Sequence, residues 1–339
     1  MKLIGKITKI LANFYYVQDK ENKTWECFAR ARLLKEGKLL YVGDDVEIET
    51  TSDKQGVITD LKERKNKIDK PQAANIDQVL VVFSTFEPEF DFYNLDRYLS
   101  YISYELPDER VRICINKTDL KKINIDNTYR NSTYDISYIS ALTGQGVNEL
   151  SSEIVNRVSV LAGPSGVGKS SLIKALVPAL DIRIGRISSI KQGTHQTRNI
   201  ELVSVKGSYG EGFLIDTPGF AQFSFGGLDP YKVLQTFKEF SDTECEFSNC
   251  LHYGEDGCSI PDLVNSNKIP ETRYESYKKI MDEVHSEIVY GSKKESKSKS
   301  IGGKEKTKYK VLPKIDPGKR TKSRKQEKQE LLRLDEESD

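Results

Sequence analysis

The sequence predicts a multidomain chain. A small OB-type β-barrel spans residues 1–65, a P-loop α/β domain spans 66–225, and a mainly helical metal-binding domain spans 226–290. A basic tail without order follows over 291–339. Three observations predict this. Short β-branched and aromatic runs recur about every ten residues near the N-terminus. From residue 75, near-continuous apolar runs alternate with helical patterns. Three cysteines and a histidine then fall between Cys245 and Cys258.

The first sixty residues hold "LIGKITKILANFYYVQD", "TWECFAR", "VGDDVEIET" and "GVITDL", each bounded by turn residues. Five short strands in so little chain suit an OB-type barrel. "KERKNKIDKP" reads as a polar linker. Beyond it, "IDQVLVVFS" and "VRICIN" are apolar on both alternations, as strands of a parallel sheet buried on both faces must be. Between them "NLDRYLSYISYEL" places Leu95, Leu99, Ile102 and Leu106 on one side of a helix. "YDISYIS", "VSVLAG" and "GFLID" supply further strands, and "VNELSSEIVNR" and "KSSLIKALV" further helices. This alternation means an α/β domain.

Composition narrows the class. The net charge is +1, which argues against a uniformly nucleic-acid-coating protein. The average hides an asymmetry, because residues 291–328 carry fifteen Lys/Arg against four Asp/Glu. That tail is too polar to order itself and is suited to neutralising RNA phosphates. No long uncharged apolar stretch or signal-peptide layout occurs, so a soluble, cytoplasmic chain with no membrane partner is expected. Five cysteines are an odd number for a disulfide scaffold and fit a reducing compartment. Cys27 and Cys114 lie in predicted strands, as packing residues.

Gly163-Pro164-Ser165-Gly166-Val167-Gly168-Lys169-Ser170 fits the phosphate-loop pattern between an apolar strand and a helix, the context the motif requires. Its backbone N–H groups, the helix N-terminus and Ser171 are expected to surround a phosphate chain. Lys169 reaches the β and γ phosphates, and the Ser170 hydroxyl holds Mg²⁺ bound with the nucleotide. "DTPG" supplies Asp216 for the Mg²⁺ shell and the Gly219 N–H for the γ-phosphate. Upstream, Asn116-Lys117-x-Asp119 ends a strand as the guanine-reading signature of GTPases does. Asp119 can accept from guanine N1–H and the 2-amino group. Facing adenine it would stay unpaired, at roughly 1–3 kcal/mol. Asn116 is expected to brace neighbouring loops, the Lys117 stem to cover the base, and Ser140-Ala141 to offer an N–H to guanine O6.

The base-reading loops thus precede the phosphate loops, a permuted order that a domain with neighbouring surface termini tolerates. Cys245, Cys250, His252 and Cys258 form a Cys₃His set suited to one tetrahedral Zn²⁺. Four protein ligands leave no open position, so the site is structural.

"ANIDQVLVV", "INKTDL", "SALTGQGV", "GPSGVGKSSL", "GTHQTRNIEL", "DTPGF" and "CEFSNCLHYGEDGC", in that order, resemble the circularly permuted bacterial GTPases of the ribosome small-subunit-dependent GTPase A type. The resemblance covers roughly residues 1–290 and omits the basic tail. It implies an OB barrel, a permuted GTPase domain and a zinc domain; a monomer is expected. It also implies GTP hydrolysis to GDP and phosphate, stimulated by the 30S subunit and its 16S rRNA during late maturation. Many GTPases orient the attacking water with a Gln just after D-x-x-G, but Phe220 stands there. The resemblance places a catalytic His at His195, acting beside Lys169. The family tends to run His-Thr-Thr-Thr where this chain has His-Gln-Thr-Arg. Thr197 is the preferred switch Mg²⁺ ligand, with Thr194 open. A GTP-switched RNA binder with incidental hydrolysis is the alternative reading.

Overall fold

The computed structural model describes residues 2–35, 37–69, 72–178, 201–207, 210–216, 223–240 and 243–295. Strands β1 (Lys2–Leu11), β2 (Phe14–Asp19), β3 (Thr24–Ala29), β4 (Asp45–Ser52) and β5 (Gln55–Leu61) pair in the order β1-β2-β3-β5-β4. Pairing of β1 with β4 closes the ring, and β3–β5 is parallel, giving the expected OB-type barrel. A short helix α1 (Ala31–Lys35) lies between β3 and β4. Alternate residues point inward, so Ile7, Val17, Cys27, Val46, Ile48 and Ile58 are fully buried.

Within the segment read as a polar linker, residues 62–69 are packed against the domains on either side. It contains β6 (Lys67–Ile68), paired with β7 (Ala73–Ala74), and Ile68 is buried. Arg64 clamps the buried Asp44 with Nε–Oδ1 at 2.6 Å, and Lys65 bridges Glu109 at 2.8 Å and Asp77 at 3.3 Å. Its charges find partners on the barrel and on the sheet, which a composition-based reading cannot see.

The central sheet runs β10 (Asp135–Tyr138), β9 (Arg110–Asn116), β8 (Gln78–Ser84), β11 (Val158–Ala162), β13 (Gly210–Asp216), β12 (Glu201–Gly207). All pairs are parallel except β12–β13. One register pair, Lys9↔Glu201, joins β12 to the barrel. Along β8, Val79, Val81 and Phe83 face a core shared with helix α2 (Phe92–Glu105). Leu80 and Val82 face the opposite core, shared with α4 (Val147–Ile154) and α5 (Lys169–Leu176). This two-sided burial explains the unbroken apolar runs. β12 was not anticipated as a strand, nor was the short helix α3 (Asp126–Tyr129).

Helices α6 (Pro230–Gln235), α7 (Ile260–Asn265) and α8 (Glu271–Glu295) enclose a third core around Phe225, Phe237, Phe240 and Tyr277. α8 runs five residues into the segment expected to be disordered, and residues 296–339 lie outside the described residues. Among the described residues no helix is long and apolar enough to cross a membrane.

α8 docks on α2 through a buried ion network. The Arg273 guanidinium, 1% exposed, donates to Asp96, and its Nε donates to Glu239 at 2.6 Å. The Tyr129 hydroxyl donates to Asp96 at 2.7 Å, and the guanidinium lies 4.5 Å over the Phe237 ring. Burial opposes the charge on Arg273, but the two carboxylates outweigh it and hold its pKa above the usual arginine value. Removing one partner of such a network leaves uncompensated buried charge. Arg273→Met should therefore lower the unfolding free energy by about 3–5 kcal/mol, read as a lower urea midpoint. An unchanged midpoint would show that the network contributes nothing.

Candidate nucleotide site and metal centre

Strands β8, β9, β11 and β13 point the same way, so the loops after them gather along one sheet edge. That edge is where α/β sheets bind ligands. The loop after β11 needs its glycines. Gly163 has φ +138, and a Cβ there would sit 2.1 Å from the Val82 carbonyl oxygen. Gly168 has φ +94, and a Cβ there would sit 2.4 Å from Asn116 Nδ2. Val167 is buried and anchors the loop in the core of α5, while Ser165 and Gly166 are exposed at its tip. Lys169 opens α5, and its ammonium donates to the carbonyls of Gly163 at 2.7 Å and Pro164 at 2.6 Å. The ammonium thereby lies across the mouth of the loop. Ser170 and Ser171 follow in the first helical turn, half-buried, beside the positive end of the helix dipole.

Asn116 joins this loop to the two expected to read a base. It closes β9, is 1% exposed, and donates Nδ2 to Val167 O at 2.9 Å. Its Oδ1 accepts from Ala141 N at 3.0 Å. One amide thus ties together segments 51 and 25 residues distant in the chain. The Ala141 N–H, expected to face guanine O6, is directed at this side chain because the Asn116 oxygen lies within reach. Ser140 is fully buried, and its hydroxyl donates to Asp119 Oδ1 at 2.5 Å, orienting an otherwise exposed carboxylate. Thr118 fixes the same turn by donating N and Oγ1 to Ile139 O at 3.2 and 3.0 Å.

Sequence reasoning missed the loop after β8. Lys117 is held at φ +62, a conformation that costs a non-glycine residue about 1–2 kcal/mol unless its surroundings enforce it. Its ammonium, expected over a base, donates to Glu87 O, and Pro88 lies against Gly166. These contacts run through backbone atoms, so no residue-type signature marks them. Asp216 closes β13 in register with Leu161, two residues before the phosphate loop. Thr194, His195, Thr197, Gly219 and Phe220 lie outside the described residues.

The ligand atoms of Cys245, Cys250, His252 and Cys258 all lie within 4.8 Å of one another. Cys245 Sγ and Cys258 Sγ each stand 3.5 Å from His252 Nδ1. A tetrahedron with Zn–S of about 2.3 Å and Zn–N of about 2.1 Å has S···N edges of about 3.6 Å, so the set fits a zinc site. Burial pushes the Cys250 and Cys258 thiols up and the His252 imidazole down, which keeps the imidazole neutral and able to ligate. Glu255 shapes the loop by accepting from Leu251 N at 2.9 Å and Tyr253 N at 2.6 Å. By contrast, burial pushes Cys27 and Cys114 up to about 12, as inert packing thiols.

Gly168→Ala should abolish nucleotide retention while leaving the fold intact, because its Cβ displaces the Asn116 amide from Val167. Gel filtration followed by nucleotide analysis, with circular dichroism as control, checks this. Wild-type retention by the variant would mean that the amide bridge is dispensable.

Two family models match the chain: RsgA N-terminal domain over residues 4–58 and RsgA GTPase over 61–226. The small ribosomal subunit biogenesis GTPase RsgA of Geobacillus sp. (strain WCH70) is 38% identical over 290 residues, covering 83% of this chain and 97% of the relative. YjeQ from Thermotoga maritima has a similar crystal structure, with TM-score 0.72 and 32% identity over 84% of this chain and 99% of that one. YloQ, described as a circularly permuted GTPase, gives TM-score 0.69 and 30% identity over 84% and 96%. Barrel, permuted sheet and cysteine cluster occur here in one chain that aligns with these relatives over nearly their whole length. The chain belongs to the RsgA GTPase family.

Proposed function

We propose that this GTPase binds the small (30S) ribosomal subunit through 16S rRNA and assists its late maturation, with turnover that rises on the subunit. Two things support the reading: relatives named for small-subunit biogenesis, and the Asn116 bridge between base loops and phosphate loop. The relatives' names carry the ribosomal part of the reading, and the bridge is the single structural observation that carries the nucleotide part. It permits one nucleotide to lie with its base at Asp119 and its phosphates at Lys169.

In this site Asp119, oriented by Ser140, accepts from guanine N1–H and the 2-amino group. Guanine O6 is recognised by the Ala141 N–H, which then has to be shared with Asn116. The loop Gly163–Gly168 and the first turn of α5, through Ser171, surround the phosphates. Lys169 leaves the loop carbonyls for the β and γ oxygens, stabilising the charge that develops there. Ser170 and Asp216, with Thr197 or Thr194, would hold Mg²⁺, which neutralises charge on the same oxygens. Gly219 offers its N–H to the γ-phosphate.

Phe220 cannot position water, so His195 takes that role when the ribosomal subunit is bound. Basal turnover is slow because, without the subunit, the reacting atoms are not kept in line. GTP hydrolysis should rise with purified small subunits, stay basal with large subunits or none, and lose the rise in His195→Ala. Wild-type stimulation of that variant would remove His195 from the mechanism. Phe220 also favours a second reading, a GTP-switched RNA binder with incidental hydrolysis. Single-turnover rates that ignore the subunit would support that reading instead.

One structural zinc is held by Cys245, Cys250, His252 and Cys258, and its role is to fold the loop that carries them. Metal analysis should find one zinc per chain, with loss of the metal and a lower melting temperature in Cys258→Ser. Full zinc content in that variant counts against the four-ligand site. The chain acts as a monomer, and the basic tail 291–339 adds salt-dependent affinity for rRNA phosphates.

A further inference from the structure

We infer that Thr85 is a positioning residue for base recognition, although it belongs to none of the loops that touch the nucleotide in the reading above. It follows β8 directly and is fully buried. Its N–H donates to Asn116 O at 3.0 Å, and its hydroxyl donates to Lys117 O at 2.7 Å. The two bonds grip consecutive peptide units on either side of a residue held at φ +62. Lys117 O also accepts from Leu120 N at 3.0 Å, which closes the turn that carries Asp119. That second bond shapes the turn but does not attach it to the sheet. Thr118 ties the turn to the segment after β10, and Thr85 ties it to β8, because β8 and β9 are in register up to Ser84↔Asn116.

The rest of the loop completes the clamp. Ser84 Oγ donates to Pro88 O at 2.7 Å, folding the chain back so that Glu87 O receives the Lys117 ammonium. Both ends of Lys117 are therefore fixed from the β8 loop. Without the Thr85 hydroxyl, the turn loses its side-chain tie to the β8 loop and keeps only the Thr118 side, so the Asp119 carboxylate shifts relative to the base.

This inference rests on the guanine reading of Asp119, and the test separates the two. GDP and inosine diphosphate, which lacks the 2-amino group, are titrated against full-length wild type, Thr85→Val and Thr85→Ser, with melting temperature measured alongside. Wild type should prefer GDP; equal affinity for the two would sink the guanine reading itself. Thr85→Val should weaken GDP about tenfold, near the worth of one buried hydrogen bond, and shrink the GDP preference. Thr85→Ser, which keeps the hydroxyl, should restore both. Thr85→Ala replaces Thr85→Val if the latter fails to fold. An unchanged GDP preference in the hydroxyl-free variant, or a Ser variant as impaired as it, overturns the assignment. A fall in melting temperature alone, with the preference intact, overturns it too.

Discussion

The side-chain amide of Asn116 carries the geometry of the nucleotide site. It spends both of its polar atoms on backbone groups of other loops, one at Val167 and one at Ala141, and does so out of water. In that setting each bond is costly to lose, because its partner would be stranded without solvent. The absence of a side chain at Gly168 follows from the same contact, since nothing larger than hydrogen fits beside Nδ2. The amide acts across the sheet edge and not along the chain, so it is indifferent to which loop is translated first. A permuted chain can therefore keep an unpermuted site.

The second organising constraint is helix α2. It fills one face of the central sheet with Leu95, Leu99 and Ile102, and it receives the cysteine-bearing module with Asp96, Arg97 and Ser100. Phe223, just beyond the D-x-x-G segment, stacks on Tyr101 of α2 at 4.5 Å. The cysteine-bearing module is thus fixed to the same helix whose preceding loop grips Lys117. A relative movement of that module has to carry α2 along or expose a buried Arg273 with its two carboxylates, which is expensive. Nucleotide loops and cysteine module share a rigid support.

Much of the site was readable in the chain. Gly163–Ser170, Asn116–Asp119, Ser140–Ala141 and the Cys₃His set are short local signatures, because each pattern is written in residues close together in the chain. Less readable were contacts that depend on partners. Arg64 and Lys65 looked like linker charges until Asp44, Asp77 and Glu109 came beside them. Asp96 and Arg273 have the residue types of a solvated helix face, yet both are buried against each other across 177 residues of sequence. Thr85 and Glu87 act through one hydroxyl and one carbonyl, which many residue types could offer in many places.

The sequence by itself determined the barrel, the parallel sheet and the places in the chain of the phosphate-loop, Asn-Lys-x-Asp and Cys₃His patterns. Periodicity and short motifs encode what a segment does with its own neighbours. Tertiary structure decided which loops share Asn116, how Lys117 is held in a left-handed turn, and where the cysteine module docks. Those outcomes depend on hydrogen bonds and ion pairs between segments far apart in the chain, whose strength comes from burial, and burial exists only once the layers have packed.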